Sequence, residues 1–422
     1  MDNKLRVLFN TPVLHHPPVG GSYLRIENSI KALSKVSELY IYSRVSVESL
    51  GGTQGLAYYQ QYCQKLFFAP FTHSSKNYMQ IATKGFNRFF RKLFGRNLFI
   101  QHSTAPREDY GHLLKIAESI QADVIWLGYG NISYPLLNYI KKHSNYKVVI
   151  DTDSVWSRFI LRGLPFVENA EERNKILEEG AKKEEEERLG AKLADITTAV
   201  SEVDAEYYRS LSIDPGQVHI FSNVIDMDVY KHIPLPLDNF KNPCIYLAGS
   251  FWPKSPMEES ARWVINHILP LVREQIPYIQ MYIVGKGSDQ VLSDIVDPYI
   301  TITGQLPSVL PYLCHANVAL VPLRFESGTR FKILEAGACG IPVVSTTLGA
   351  EGLPVTHEKD ILIADSPAQF AISIVRLIND REFAVQMAQN LKSLVQEKNN
   401  ISSLVQEGIV ILEYLASLDK VV

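Results

Sequence analysis

The chain reads as an α/β protein built on two largely parallel sheets. Three observations carry that reading. Short β-branched or aromatic runs alternate with helix-period stretches along the whole length, the series restarts near residue 245, and the stretch 226–243 between the two series is rich in Pro, Asp and Asn with little periodicity. The 422 residues suffice for two domains of ordinary size. The domains are expected at 1–228 and 229–422.

In the first series, strands are expected at 5–9, 39–42, 124–127, 148–150, 196–200 and 218–221; in the second, at 245–248, 280–284, 300–303, 318–321, 343–345 and 361–363. Each sheet would then hold about six strands. From about 366 to 418 the periods are helical without a strand signal, so these residues should pack as helices on the second sheet, with the last one crossing back to the first domain.

Composition narrows the function classes. Lys and Arg total 42 against 45 Asp and Glu, which gives no global attraction to nucleic acid. Cys63, Cys244, Cys314 and Cys339 form no Cys-x-x-Cys or Cys/His ligand spacing, so reduced thiols in a cytoplasmic protein are expected, with neither a structural zinc nor a disulfide framework. No apolar stretch approaching the ~18 residues of a spanning helix is read, and the start of the chain lacks a cleavage site. Two segments stand out by charge. From Ser49 to Arg107 there is no acidic residue, while Lys76, Lys84, Arg88, Arg91, Lys92 and Arg96 interleave with Phe86, Phe89, Phe90, Phe94 and Phe99. Such a face suits peripheral contact of 76–99 with an anionic inner-membrane surface, or a surface excursion docked by its phenylalanines, and the two readings stand level. From Glu168 to Arg188 charges of both signs cluster as on a solvated helix with i,i+4 ion pairs.

The motif densest in chemistry is Ser327-Gly-Thr-Arg-Phe-Lys-Ile-Leu-Glu335, between the expected strands at 318–321 and 343–345. A Gly-Thr turn opening a helix presents unpaired backbone N–H groups and the positive end of the helix dipole, a ready place for phosphate. Arg330 and Lys332 add positive charge there, and Glu335 is placed to accept hydroxyls of a ribose. This stretch resembles the nucleotide-site signature of the retaining glycosyltransferases of family 4, which have the GT-B fold of two Rossmann-like domains facing across a cleft. Other stretches resemble that family in register: Pro17-Pro-Val-Gly20-Gly21-Ser22, Val200-Ser201, Asn223-Val-Ile-Asp226, Leu247-Ala-Gly249-Ser250-Phe-Trp-Pro-Lys254, Val284-Gly285-Lys-Gly287 and Ile302-Thr-Gly304-Gln305-Leu306. The form Gly-Thr-Arg-x-Lys-x-Leu-Glu is that of a bacterial subgroup associated with exopolysaccharide and other cell-surface glycans.

The resemblance implies transfer of a sugar from a nucleoside diphosphate sugar, by default UDP-glucose, to a hydroxyl acceptor, with retention and without an obligatory metal or any cofactor. It implies that Glu335 binds the ribose, that the Gly328–Phe331 backbone with Thr329 and Arg330 takes the diphosphate and sugar, that Lys254 reaches a phosphate oxygen beside Gly249 and Ser250, and that Gly304, Gln305 and Leu306 form the base turn. Gly20 and Gly21 would let the facing domain approach the phosphates. The sequence departs from the family at Ser327, where the acid that touches the transferred sugar is expected; Glu326 lies one residue earlier. Where the family often has a His after the fourth strand, this chain has Asp151-Thr-Asp153, and Asp153 is preferred as the group that orients or deprotonates the acceptor, against a plain turn-capping role. Asp153, Glu326 and Lys332 are thus the catalytic candidates.

Competing readings are a catalytically inactive sugar-nucleotide-binding scaffold and a nucleotide-sugar epimerase of the same fold. Asp151-Thr-Asp153 also matches a DxD metal motif, but so does Asp226-Met-Asp228. No Gly-x-Gly-x-x-Gly opens a helix, and no Gly-x-Ser-x-Gly elbow, Walker loop or His-Glu-x-x-His helix occurs. His15 and His16 are read as loop or lining residues, Trp263 as core, and Trp156 and Trp252 as open to either role.

Overall fold

The computed structural model describes residues 4–70 and 107–418. The segment 76–99, read either as a membrane-facing surface or as a docked excursion, lies outside the described residues. The chain divides into two compact units: residues 4–70, 107–224 and 401–418 form the first, and residues 225–400 the second.

Among the described residues the first unit holds seven parallel strands: β1 (Arg6–Thr11), β2 (Glu38–Ser43), β3 (Lys65–Phe68), β4 (Val124–Gly128), β5 (Lys147–Asp151), β6 (Ile196–Ala199) and β7 (Val218–Ile220), in the order β3-β2-β1-β4-β5-β6-β7. Side chains alternate across β1: Val7 and Phe9 join the layer containing Ile26, Ile30 and Ile411, while Leu8 faces Leu113, Leu136 and Leu137 in the other. Burial on both faces explains why β1, β4 and β5 read as unbroken apolar runs rather than as alternating patterns. β3 is a correction to the expected six strands. Its sequence Lys65-Leu-Phe-Phe68 lies in the acid-free stretch, is only partly buried, and forms the sheet edge, where no alternation is imposed.

The second unit holds six parallel strands: β8 (Cys244–Ala248), β9 (Gln280–Val284), β10 (Ile300–Ile302), β11 (Val318–Val321), β12 (Val343–Ser345) and β13 (Leu362–Ile363), in the order β10-β9-β8-β11-β12-β13. A strand forms at every position expected from sequence, with ends shifted by at most two residues. The helix Pro256–Trp263 runs through a π turn, Val264–Ile268, into Leu269–Arg273. Pro270 has no N–H to give the preceding turn, and a widened turn is the ordinary accommodation.

Two further expectations need correcting. The helix Ile401–Leu418 is, by length and composition, apolar enough to cross a membrane, although no such stretch was expected. In the structure one of its faces packs in the first unit: Leu404, Ile411 and Leu415 join the core layer of β1, a Cβ at Gly408 would lie 3.7 Å from the Leu33 side chain, and Glu407 accepts from the backbone N–H and hydroxyl of Ser222, both at 2.7 Å. The charged helix Ala170–Leu193 is only partly solvated. Lys175–Glu171 and Arg188–Glu184 are the expected i,i+4 pairs, but Lys183 and Glu187 are buried. Lys183 donates to the Asn131 carbonyl at 2.7 Å, and Glu187 accepts from Ser157 and Tyr207.

Candidate active site

In the second sheet, β8, β9 and β10 step outward to one side and β11, β12 and β13 to the other. The loops after β8 and β11 therefore leave neighbouring strands in opposite directions, and ligands of open α/β sheets bind at the carboxyl ends of such a switch point. The first lip is stitched by backbone bonds: Gly249 N–H to Val284 O at 3.0 Å, Phe251 N–H to Lys286 O at 2.8 Å, and Gly285 N–H to Gly304 O at 3.0 Å. Gly304 N–H in turn donates to Ser288 Oγ at 3.0 Å. Gly285 makes the close approach possible. Its φ is +131°, and a Cβ there would lie 1.9 Å from the Gly249 carbonyl oxygen. These bonds bring Gly249, Ser250, Gly304, Gln305 and Leu306 to one edge, with Ser250 and Gln305 exposed. Lys254 is also exposed; its N–H donates to Glu258 Oε2 at 2.6 Å, and the next residue, Ser255, caps the helix that follows.

The second lip follows β11. Ser260 Oγ donates to Pro322 O at 2.9 Å and Arg324 pairs with Glu259, so the helix after β8 anchors the loop after β11. That loop turns at Gly328 and enters the helix Phe331–Cys339, whose N-cap residue is Arg330. An arginine at this position has no acceptor to offer, and its side chain makes no capping bond. The first-turn N–H groups and the dipole thus meet the edge of the sheet with positive potential. Arg330 is 4% exposed, donates to Ser327 O at 2.8 Å, and lies 3.7 Å from Glu326 Oε2. Burial, with Arg330 adding to it, holds Lys332 below the usual lysine range.

Glu335, one turn in from Phe331, accepts from the Tyr230 hydroxyl at 3.1 Å. Burial pushes its carboxyl above the usual range, and the Tyr230 bond and Lys332 oppose that shift. Tyr230 comes from the short 3₁₀ turn Met227–Tyr230, capped by Asp226, inside the stretch that reads only as a linker. The sequence carries no signal for this partner; a lone Tyr in a polar stretch gains its role only from the fold.

The first sheet also reverses direction, between β1 and β4. After β1 the chain passes His15 and His16 to Gly20, at φ +149° with no atom within 4 Å of where a Cβ would stand, and starts the helix Gly21–Val36 without a side-chain cap. His16 stacks on Tyr58 with ring centroids 3.5 Å apart and bonds Glu27 at 2.9 Å, so its role is to hold the loop. The two aspartates after β5 separate clearly. Asp151 is wholly buried and accepts from Arg25 at 2.5 Å, Thr198 at 2.8 Å and Trp126 at 3.2 Å. Its carboxylate is engaged by this buried network. Asp153 accepts from Trp156 Nε1 at 3.1 Å, and burial pushes its carboxyl up to about 6 despite Arg25 nearby. Trp156 is buried, as is Trp263, while Trp252 is half-buried.

The structure thus brings Gly249, Ser250, Lys254, Gly304, Gln305, Leu306, Glu326, Gly328, Thr329, Arg330, Phe331, Lys332 and Glu335 to the carboxyl end of the second sheet. It brings Gly20, Gly21 and Asp153 to the carboxyl end of the first.

Residues 242–380, which contain every one of the second-unit residues just named, match the family of glycosyl transferases group 1. An uncharacterized 44.6 kDa protein in the cps region of Klebsiella pneumoniae is 25% identical over 185 residues, covering 42% of this chain and 47% of that protein, so the chain spans about half the length of this curated relative. Among solved structures, HepE of Anabaena in complex with UDP and glucose aligns over 98% of this chain and 100% of that one, with a TM-score of 0.63 at 13% identity. Sucrose-phosphate synthase of Thermosynechococcus elongatus aligns over the same shares with a TM-score of 0.67 at 17% identity. The chain therefore has the two-domain, parallel-sheet α/β fold of GT-B glycosyltransferases, and residues 242–380 of its second unit match the glycosyl transferases group 1 family.

Proposed function

We propose that the chain is a retaining glycosyltransferase of family 4 that moves a sugar from a nucleoside diphosphate sugar, a UDP-sugar with UDP-glucose as the default, to a hydroxyl acceptor in cell-surface glycan synthesis. The observation that carries this reading is the start of the helix Phe331–Cys339, whose N-cap Arg330 offers no acceptor, flanked by Arg330 and Lys332, with the Tyr230-bonded Glu335 one turn further in. N–H groups and fixed cations suit a diphosphate, and a carboxylate with one oxygen held by a phenol keeps its other lone pairs for ribose hydroxyls. The match to HepE, solved with UDP and with UDP-glucose, supports the choice of donor. The likeness to a protein of a cps region supports the glycan class.

In this reading the protein stabilises leaving-group charge. The diphosphate departs against the helix start, Lys332 and Lys254, and such preorganised charge is worth most where the negative charge develops. Neither a metal nor a cofactor is assigned a step. Asp153, with its raised carboxyl, is the group proposed to orient or deprotonate the acceptor. Glu326, beside Arg330, is the group proposed to face the transferred sugar.

The test is product analysis. The full chain is incubated with UDP-glucose and a panel of lipid-linked and free glycan acceptors, and the product is read by NMR. A new α-glycoside from the α-linked donor supports the reading. An isomerised sugar nucleotide points to an epimerase, and binding without turnover on any acceptor points to a scaffold.

A further inference from the structure

Two of the four cysteines, 25 positions apart in sequence, meet in the second unit: Cys314 Sγ lies 3.5 Å from Cys339 Sγ. Cys314 closes the short helix Leu310–Leu313 before β11, and Cys339 is the last residue of the helix that carries Glu335. The pair is asymmetric. Cys314 is partly exposed, whereas Cys339 is buried. The other two cysteines have different neighbours, Cys63 bonding the Tyr59 carbonyl and Cys244 bonding Asn242.

We propose that Cys314 and Cys339 are a modification site: a reversible, intramolecular dithiol–disulfide pair, with Cys314 as the thiol that meets the oxidant and Cys339 as the resolving thiol. A disulfide needs an S–S distance of about 2.05 Å, so closure asks for roughly 1.5 Å of sulfur movement, within reach of a change in side-chain torsions. The oxidant is a peroxide. The Cys314 thiolate attacks one peroxide oxygen, the O–O bond breaks, and the sulfur becomes a sulfenic acid as hydroxide leaves. Cys339 sulfur then attacks that sulfenic sulfur, the S–O bond breaks, and the departing hydroxide takes the Cys339 proton as water. Two thiols and one peroxide thus give one disulfide and two waters. The electrostatics match this order. The hydrogen bond between the two sulfurs, together with Lys392 nearby, holds the Cys314 thiol below the usual range, while the same bond and burial push Cys339 above it. A partly exposed thiolate beside a protected thiol is the arrangement of an attacking and a resolving pair.

The link would tie the end of the Glu335 helix to the connection before β11. Glu335 and Cys339 are four residues apart, hence stacked on one helix face, and the charge of Glu335 is among the groups acting on Cys339.

The test uses the full native chain treated with hydrogen peroxide, followed by thiol counting in denaturant and mapping of the linked peptides. The expected result is a fall from four free thiols to two, a single peptide pair joining Cys314 to Cys339, and recovery of four thiols with dithiothreitol. Cys314→Ser is expected to keep its three thiols under the same treatment. Retention of four thiols in the wild type, a link to Cys63, Cys244 or a second chain, or loss of two thiols from Cys314→Ser would overturn the proposal. The wild-type peptide map stands even if the variant does not fold.

Discussion

The Tyr230 hydroxyl donates to Glu335 Oε1 across 3.1 Å, tying a turn from the stretch after the first sheet to the helix that opens at the sheet edge of the second unit. Removing that hydroxyl takes away a bond that favours the ionised carboxylate while burial continues to oppose it. Tyr230→Phe is therefore expected to weaken UDP binding by about 10-fold or more, in line with the roughly 1.5–3 kcal/mol of a hydrogen bond to a charged group. Calorimetric titration checks it, and an unchanged affinity counts against a ribose role for Glu335.

The direction of the Glu335 shift fixes a pH dependence. Its folded-state carboxyl titrates above the usual range, and ribose hydroxyls need the ionised form. UDP affinity should fall as pH drops through this raised range, at a pH where an ordinary carboxylate is still ionised. The Glu335→Gln protein should lose that pH dependence along with most of its affinity. A pH series of UDP titrations on both proteins reads the difference.

Asp153 gives a stability prediction with a definite sign. Its carboxyl is moved from 3.8 to about 6, so the folded state holds the proton more tightly than the unfolded chain. That contribution is full below about pH 4 and is lost as pH rises through about 6. Asp153→Asn, which cannot ionise, should come close to wild-type stability near pH 4 and exceed it at pH 7.5 by about 2–3 kcal/mol, while turnover falls. Thermal unfolding at the two pH values is the check, and a variant less stable than wild type at pH 7.5 contradicts the assignment.

Arg25 and Asp151 behave differently because both are buried and paired. Asn223 and the Phe221 carbonyl accept from the same guanidinium. Arg25→Met leaves Asp151 charged without its partner, which typically costs about 3–5 kcal/mol. Denaturant unfolding should show a loss of that size, and a loss under about 1 kcal/mol would mean that the network is not a stability element.

Legibility from sequence follows the physics that each element obeys. Strands buried on both faces, such as β1, β4 and β9, announce themselves as apolar runs, and the Gly328–Glu335 signature is visible because its phosphate-binding chemistry is local in sequence. What stays hidden is set by tertiary partners. β3 gains its place by pairing with β2, and Lys183 and Glu187 look like solvent charges until Asn131 and Ser157 meet them. Tyr230 and the Cys314–Cys339 contact depend on residues 105 and 25 positions away, which no spacing rule connects. The helix Ile401–Leu418 hides in the opposite way, since its apolar content is that of a span although one face packs under β1.

In the proposed function the second unit binds a nucleoside diphosphate through the start of the helix Phe331–Cys339 and through Glu335. The most direct measurement is calorimetric titration of the full chain with UDP, GDP and ADP in the presence of EDTA, on wild type and Glu335→Ala. The expected result is saturable binding of UDP that persists in EDTA and weakens by about 10- to 100-fold in Glu335→Ala, the span of a lost charged hydrogen bond. Equal UDP affinity in the two proteins, or binding that requires an added divalent cation, would contradict it.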